Sequence, residues 1–280
     1  MNNQILKDND FKFNKSFGQN FIFDQNFLNS IVDLVVNEND TVLEIGAGAG
    51  TLTKAISKKA KKVLSFEIDK NLEPILKENL KDHPNCEIIF QDIMKVDVSE
   101  LEKKLGGEYI MVANLPYYIT TPIIFKFLEN AKNLKSMSIM VQLEVAERLT
   151  AKAGTKEYGA ITPAIDYRAN AKIIKKVGRH MFTPVPNVDS AIVKIDFVKN
   201  KYNILDTHTL DETIKGVFAM RRKTLANNLK SHFHLNSDDI NQICRKAKIS
   251  PTTRGETLDT SSLVNLANEI YKFQKKRYLG

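Results

Sequence analysis

Short apolar runs alternate with segments of helical periodicity from about residue 31 to about residue 150. The apolar runs have the length and composition of buried strands, and the segments between them repeat apolar residues at helical spacing. This alternation is typical of a mostly parallel β-sheet with helices on both faces. Later apolar runs bring the total to seven strands, and we expect the last two to form a hairpin-like edge. The predicted strands cover residues 41–45, 62–67, 88–90, 109–113, 138–143, 172–177 and 191–198.

Beyond residue 199 the pattern becomes helical throughout. Thr209-x-x-Glu212 has the spacing of a capping box, which predicts the start of an amphipathic helix. The last predicted helix, at about residues 261–276, carries an apolar stripe on one face, as a helix packed on a core does. The predicted parts are a mobile amino-terminal segment, an α/β domain and a small all-α domain, at residues 1–24, 25–200 and 201–280.

Four successive strands end in a glycine or a polar residue, namely Gly46, Glu67, Asp92 and Asn114. In an open α/β sheet, ligands bind beyond the carboxyl ends of the strands, so we expect these residues to line one crevice. Gly46 and Gly48 belong to a glycine loop between a strand and a helix, where the backbone approaches a ligand closely. A carboxylate placed as Glu67 is can accept hydrogen bonds from both ribose hydroxyls of a nucleoside. These features fit either a nicotinamide dinucleotide or S-adenosylmethionine.

The segment Asn114-Leu115-Pro116-Tyr117 provides two acceptors and an aromatic ring within four residues. The exocyclic amine of adenine is a poor nucleophile because its lone pair is delocalised into the ring. Acceptors on its two N–H groups would draw the nitrogen toward a tetrahedral, reactive state, and the Asn114 side-chain oxygen and the Leu115 carbonyl could serve. Pro116 fixes the turn, and Tyr117 offers a face on which a base could stack.

Six segments, taken in order, resemble the ribosomal RNA adenine N6-dimethyltransferases, and among these the small-subunit type. The resemblance covers nearly the whole chain and departs from the common pattern mainly at Ala47 and Ile22, where proline and leucine are frequent. The six segments are Lys15–Ile22, Glu44–Gly48, Phe66–Asp69, Gln91–Asp92, Asn114–Tyr117 and Phe182–Ser190, and Arg221–Leu225 follows them.

The resemblance implies a Rossmann-like class I methyltransferase fold with S-adenosylmethionine as cofactor. It implies that Asn20 and Ile22 touch the cofactor, that Asp92 accepts a hydrogen bond from the cofactor's adenine amine, and that the amino-terminal segment closes over the active site. The expected reaction dimethylates two adjacent adenines in the 3'-terminal hairpin of small-subunit rRNA, late in subunit assembly. We expect each target adenine to leave its stack and to be held between Tyr117 and Phe182.

Charge supports an RNA partner. The net charge is +8, and residues 203–280 hold 13 Lys and Arg against 8 Asp and Glu, which is +5 of that total. A basic surface attracts phosphates and releases counterions. The predicted RNA-binding residues are Arg221, Arg222, Lys223 and Arg254.

Other features narrow the class of protein. No apolar stretch approaches the ~20 residues of a membrane helix, so we expect a cytoplasmic protein. Cys86 and Cys244 form no Cys-x-x-Cys pattern, and the five histidines have no ligand cluster beside them, so no disulfide and no metal is predicted. We expect a monomer acting on rRNA within a precursor ribosomal particle.

Three alternatives remain open at the level of sequence. The runner-up is the related large-subunit rRNA dimethyltransferase of the macrolide-resistance type. A nicotinamide oxidoreductase is supported only by the glycine loop and Glu67. The third is a ribosome-assembly factor whose binding matters more than its chemistry.

Overall fold

The protein divides into two compact units. A computed structural model of the chain describes residues 19–116 and 118–279, without the side chains of residues 278 and 279. The first unit takes in the described residues up to Ala146 together with Lys172–Phe197, and the second takes in Glu147–Ala171 and the residues from Val198 onward. The predicted single boundary at residue 200 therefore misses an insertion, because Glu147–Ala171 belongs to the helical unit although the chain then returns to the sheet.

The first unit is built on a seven-stranded sheet. Its strands lie in the order β4-β3-β2-β5-β6-β9-β7. Strands β2, β3, β4, β5 and β6 pair in parallel with their neighbours, and β9 is antiparallel to β6. The strands are β2 (Thr41–Ile45), β3 (Lys62–Glu67), β4 (Cys86–Phe90), β5 (Tyr109–Asn114), β6 (Leu134–Gln142), β7 (Ala169–Val177) and β9 (Ser190–Phe197). The predicted seven-stranded, mostly parallel sheet is confirmed, with β9 and β7 as the last two strands at one edge.

Helices alternate with these strands, as the pattern predicted, and several begin at identifiable caps. Asp24 and Asp97, for example, each accept a hydrogen bond from a backbone N–H of the first turn that follows. Buried apolar side chains from the helices and the sheet form a continuous core. The helices are α1 (Gln25–Val35), α2 (Thr51–Ser57), α3 (Glu73–Leu80), α4 (Val98–Leu105), α5 (Thr120–Asn130) and α6 (Leu143–Leu149).

A second, two-stranded sheet was not predicted. Strand β1 (Phe21–Ile22) pairs antiparallel with β8 (Phe182–Thr183), so that Phe21 lies opposite Thr183 and Ile22 opposite Phe182. Strands of two residues are too short to show a periodic pattern, so this sheet could not be predicted from the sequence. Residues 21–24 are therefore part of the folded structure. Residues 1–18 lie outside the described residues, and the predicted closure of residues 1–24 over the active site stays a prediction.

The second unit is helical and has its own core. Its helices are α7 (Ile161–Asp166), α8 (Thr207–Phe218), α9 (Leu225–Phe233), α10 (Ser237–Ala247) and α11 (Thr260–Leu279). Buried residues such as Leu210, Leu229 and Ile270 form a separate apolar cluster. The predicted capping box is wrong: α8 begins three residues earlier, and the Asp206 carboxylate accepts hydrogen bonds from the Thr209 N–H and hydroxyl. Within the described residues, no helix is both long and apolar enough to span a bilayer.

Candidate active site

A cavity opens beyond the carboxyl ends of the parallel strands. It holds about 1040 Å³ of empty space, counting its open mouth. The strand-end residues that the sequence singled out all line it, namely Gly46, Glu67, Asp92 and Asn114. The arrangement follows from the parallel register, which brings the ends of neighbouring strands to the same edge of the sheet.

The glycine loop after β2 is held by bonds within the protein. The N–H groups of Gly46 and Ala47 donate to the Phe66 carbonyl at 2.8 and 3.2 Å, and the Gly48 N–H donates to Glu67 Oε2 at 2.8 Å. Gly48 has φ +56°, and a Cβ there would lie 3.0 Å from the Phe21 ring. The loop therefore contributes space and shape to the cavity, while these three N–H groups are already used.

Glu67 is buried and carries three backbone hydrogen bonds. Besides the bond from Gly48, its Oε1 accepts from the N–H groups of Ile68 and Asp69, each at 2.8 Å. Burial raises the pKa of Glu67, and the backbone N–H groups act against that rise. A carboxylate has about four acceptor sites, so Glu67 retains room for about one further donor. The prediction that it accepts both ribose hydroxyls therefore requires a backbone bond to be released or shared.

The Asn114 side chain has a fixed orientation. Its Nδ2 donates to the Asn20 carbonyl at 2.9 Å. Because a carbonyl can only accept, the amide nitrogen must face Asn20, which leaves Oδ1 as the acceptor of this side chain. Among the described residues, none donates to Oδ1 or to the Leu115 carbonyl. Asn114 and Leu115 both line the cavity, and the role of their oxygens as paired acceptors for an amine stays a prediction.

The turn that follows Asn114 is also held in place. The Pro116 carbonyl accepts from the Ile119 N–H and the Thr120 hydroxyl, both at 3.1 Å. Leu115 is buried, and Leu115 and Pro116 both line the cavity. Tyr117 lies outside the described residues, so its predicted stacking on a base stays a prediction.

The other predicted cofactor contacts lie on the cavity wall. Asn20 contributes its carbonyl to the Asn114 bond, and Ile22 contributes a buried apolar side chain. The Ile22 carbonyl accepts from the Thr51 hydroxyl at 2.7 Å, which ties β1 to the first turn of α2. Asp92 accepts from the Met94 N–H at 2.9 Å through Oδ1, so it caps the short 3-10 turn Ile93–Lys95 as well as lining the cavity.

Phe182 is buried in the first unit. Its side chain is 2% exposed and belongs to the apolar core with Ile22, Met140 and Ile192. The ring has no exposed face in this arrangement, because pairing with β1 places β8 against the core; the predicted stacking of the adenine on Phe182 stays a prediction. The position fits a hydrophobic plug in front of Pro184 and Pro186, and stacking on adenine would require the ring to leave the core.

Sequence reasoning missed several residues at the cavity. Gln19 Nε2 donates at 2.8 Å to Asp69, which also caps the 3-10 turn Lys70–Leu72. Ile68, Ile93 and Tyr118 also line the cavity. Ile68, Ile93 and Tyr118 lie one to four residues beyond the end of a strand. That position alone was too general to predict that they line the cavity.

Below the loop, Glu44 is fully buried in the sheet. Its Oε2 accepts from the hydroxyls of Thr53 and Ser65 at 2.6 and 2.7 Å, and Oε1 has no partner among the described residues. Burial raises the pKa of Glu44 to about 7, which the two hydroxyl bonds only partly oppose. The side chain is therefore a carboxyl that the fold favours in its protonated form.

The predicted RNA-binding residues converge in the second unit. The N–H groups of Leu225 and Ala226 donate to the carbonyls of Thr253 and Pro251, at 2.7 and 2.9 Å. This places the segment of Arg221, Arg222 and Lys223 beside that of Arg254. All four side chains are exposed, and none forms an ion pair with a carboxylate of the described residues. Arg221 donates to the Lys156 carbonyl at 2.6 Å.

Neither cysteine is bonded in a disulfide, and no group of three metal-ligating side chains occurs within the described residues.

Comparisons with known proteins identify the family of the chain. The family model for ribosomal RNA adenine dimethylases matches residues 10–270. A Clostridioides difficile (strain 630) protein named ribosomal RNA small subunit methyltransferase A is 44% identical over 271 residues, covering 95% of this chain and 94% of that protein. A protein of the same name from Bacillus mycoides (strain KBAB4) is 42% identical over 274 residues, with 95% and 94% covered.

Solved structures show the same fold. A dimethyladenosine transferase from Plasmodium falciparum superposes with a TM-score of 0.75 at 25% identity, covering 91% of this chain and 98% of that chain. The 23S rRNA methyltransferase ErmE superposes with a TM-score of 0.69 at 23% identity, covering 90% and 99%, and this likeness shows the fold alone.

These matches extend over nearly the full length of the chain and rule out the nicotinamide oxidoreductase interpretation. The chain belongs to the ribosomal RNA adenine dimethylase family and is an S-adenosylmethionine-dependent rRNA adenine N6-dimethyltransferase.

Proposed function

We propose that this enzyme dimethylates two adjacent adenines in the 3'-terminal hairpin of small-subunit rRNA, within a precursor particle late in assembly. The observation that carries the proposal is the Asn114 side chain, whose bond to the Asn20 carbonyl leaves Oδ1 as an acceptor beside the Leu115 carbonyl. The 42–44% identical relatives named for the small subunit support the choice of subunit.

The cavity fits S-adenosylmethionine. Glu67 keeps acceptor capacity for a ribose hydroxyl, Asp92 faces the cavity at the next strand end, and Ile22 supplies an apolar wall. Gly46 and Gly48 have φ of +83° and +56°, and they line the cavity without side chains of their own. When bound, the cofactor supplies an electrophilic methyl group on a sulfonium.

Asn114 and Leu115 then act on the adenine amine. Two acceptors on its N–H groups favour a pyramidal nitrogen whose lone pair is free to attack. Holding the amine at a fixed position also makes the reaction effectively unimolecular. After attack the nitrogen carries a positive charge and is acidic, so its proton passes to water or to these oxygens, and no general base is needed. The second methylation uses the remaining hydrogen in the same way.

The target base must leave its stack to reach this site, which costs a few kcal/mol. The basic group of Arg221, Arg222, Lys223 and Arg254 is suited to hold the surrounding RNA by its phosphates. These four exposed cations support an rRNA substrate. We propose that the enzyme acts as a monomer in the cytoplasm, on the assembling small subunit.

The test is methyl transfer from radiolabelled S-adenosylmethionine to three substrates: immature small-subunit particles, mature methylated particles and naked large-subunit RNA. We expect label only in the immature particles, on two adjacent adenines near the 3' end. Label in large-subunit RNA instead would favour the macrolide-resistance alternative. If no RNA is labelled, the proposed activity is wrong. Growth defects of a deletion strain that a cofactor-blind variant fully rescues would favour the binding-only assembly factor.

A further inference from the structure

Exposed apolar side chains concentrate at the edge of the sheet where the cavity opens. Half of the large apolar side chains most exposed among the described residues lie in loops there, namely Ile68, Tyr118, Val185 and Val188. Ile68 follows β3, and Tyr118 lies four residues beyond the end of β5. The valines precede β9, whose first residue pairs with the last residue of β6. An apolar collar at the edge that carries the active site indicates contact with something apolar during the reaction.

Tyr118 is the aromatic member of this collar. It lines the cavity, yet 59% of it is exposed. The turn that carries it is fixed by the Pro116 carbonyl, which accepts from Ile119 and Thr120 on the far side of Tyr118. The ring thus lies at the mouth of the cavity without being packed into the core.

Extraction of the target adenine changes the stacking of the neighbouring base on the RNA. When the target adenine leaves the helix, the neighbouring base loses a stacking partner and exposes an apolar face to water. An aromatic ring at the cavity mouth can cover that face, and such stacking tolerates any base. We propose that Tyr118 is a positioning residue that stacks on the base flanking the target adenine. The proposal rests on the proposed function, under which that flanking base includes the second adenine.

A stacking contact of this kind acts on substrate binding. Its loss corresponds to a rise in KM for the RNA of between about fivefold and about a hundredfold. The turnover number should change much less, because Tyr118 does not hold the reacting amine. Cofactor affinity and melting temperature should stay near those of the unaltered protein.

The experiment compares the full-length protein with Tyr118→Ala, Tyr118→Phe and a matched control, Leu34→Ala. Leu34 is similarly exposed, at 56%, but lies on α1 away from the collar. Methylation of immature particles gives KM and kcat, and calorimetry gives the affinity for S-adenosylmethionine. A hairpin RNA with 2-aminopurine next to the target adenine reports stacking directly, because its fluorescence falls when the base stacks.

We expect Tyr118→Ala to raise KM and to abolish the fluorescence quenching, while Tyr118→Phe and Leu34→Ala behave like the unaltered protein. Unchanged KM or unchanged quenching in Tyr118→Ala would overturn the proposal. So would an equal fall in cofactor affinity or melting temperature, since either would place the ring in the cofactor site or the fold. Failure of the unaltered protein to methylate any RNA would instead contradict the proposed function. The fluorescence measurement would still show whether Tyr118 stacks on the base.

Discussion

Replacing Asn114 by alanine tests the amine-activating role of this side chain. The substitution removes Oδ1, which we place on the adenine amine, and also the Nδ2 bond of 2.9 Å to the Asn20 carbonyl. By analogy with single donors in oxyanion holes, loss of one positioned polar group at a reacting centre lowers kcat by about 10²–10³. The lost bond to Asn20 is worth about 0.5–1.5 kcal/mol, which corresponds to a change of about 2- to 12-fold in cofactor affinity if all of it is felt there.

The expected fall in kcat is much larger than the expected fall in cofactor affinity. Measuring both on the same variant therefore distinguishes a role in catalysis from a role in cofactor binding. Single-turnover methylation of immature particles gives the chemical rate, and calorimetric titration with S-adenosylmethionine gives the affinity. Asn130→Ala is a matched control, because Asn130 Nδ2 also donates to a backbone carbonyl, that of Lys126 at 2.8 Å, but on the exposed end of α5. We expect the control to keep its rate.

A near-normal methylation rate in Asn114→Ala would remove this side chain from the mechanism. A fall in rate matched by an equal fall in cofactor affinity would show instead that Asn114 serves to shape the cofactor cavity through Asn20.

Three further outcomes are expected. Phe182→Ala should lower the free energy of unfolding by about 3–5 kcal/mol, measured by denaturant titration, because the ring is buried in the core. Glu44 should make the wild-type protein less stable as pH rises from about 4.5 to about 7, because burial raises the pKa of Glu44 from 4.5 to about 7. In Glu44→Gln this loss should be smaller, as melting temperatures measured across the pH range would show. Joint replacement of Arg221, Arg222 and Lys223 by alanine should reduce the slope of log affinity for RNA against log salt by about 2–3 in a filter-binding series.

The sign of the Glu44 effect follows from proton linkage. The folded state holds the proton up to about pH 7, whereas the unfolded chain releases it near pH 4.5. The stability that the neutral carboxyl contributes is therefore complete below about pH 4.5 and is lost as pH rises to about 7. The loss amounts to roughly 3 kcal/mol at about 1.4 kcal/mol per pKa unit. An identical pH dependence of stability in the wild-type protein and in Glu44→Gln across this window would refute the assignment.

The predictions for Phe182→Ala and for the triple variant would each be contradicted by a specific result. If Phe182→Ala keeps its stability and loses RNA affinity, the ring acts on substrate and leaves the core to do so. If the triple variant keeps the full salt slope, the phosphates are bound elsewhere on the protein.

The sequence was sufficient for the sheet and for the residues at the strand ends. Buried parallel strands read as continuous apolar runs, so the residues that terminate them, such as Glu67 and Asn114, could be placed at one edge. The hydrogen-bond partners of individual side-chain atoms could not be predicted in this way. Nothing in the sequence shows that three backbone N–H groups occupy the Glu67 carboxylate, since those bonds depend on the path of the loop.

The errors also have physical causes. Asp206 competes with Thr209 for the same helix start, and an aspartate is an equally good cap, so the spacing to Glu212 misled the prediction. The position of Phe182 depends on a two-residue pairing with β1, which only the folded chain reveals.

That pairing has a consequence for synthesis of the chain on a ribosome. Phe21 and Ile22 form part of the cavity wall, but they are held by Phe182 and Thr183, which are translated much later. A nascent chain that has emerged only as far as β6 carries the glycine loop, Glu67 and Asn114, but it lacks β8, the strand that pairs with β1 in the cavity wall. Ligand capture is therefore expected to begin only after β8 has emerged and paired with β1, so that a shorter nascent chain is catalytically silent.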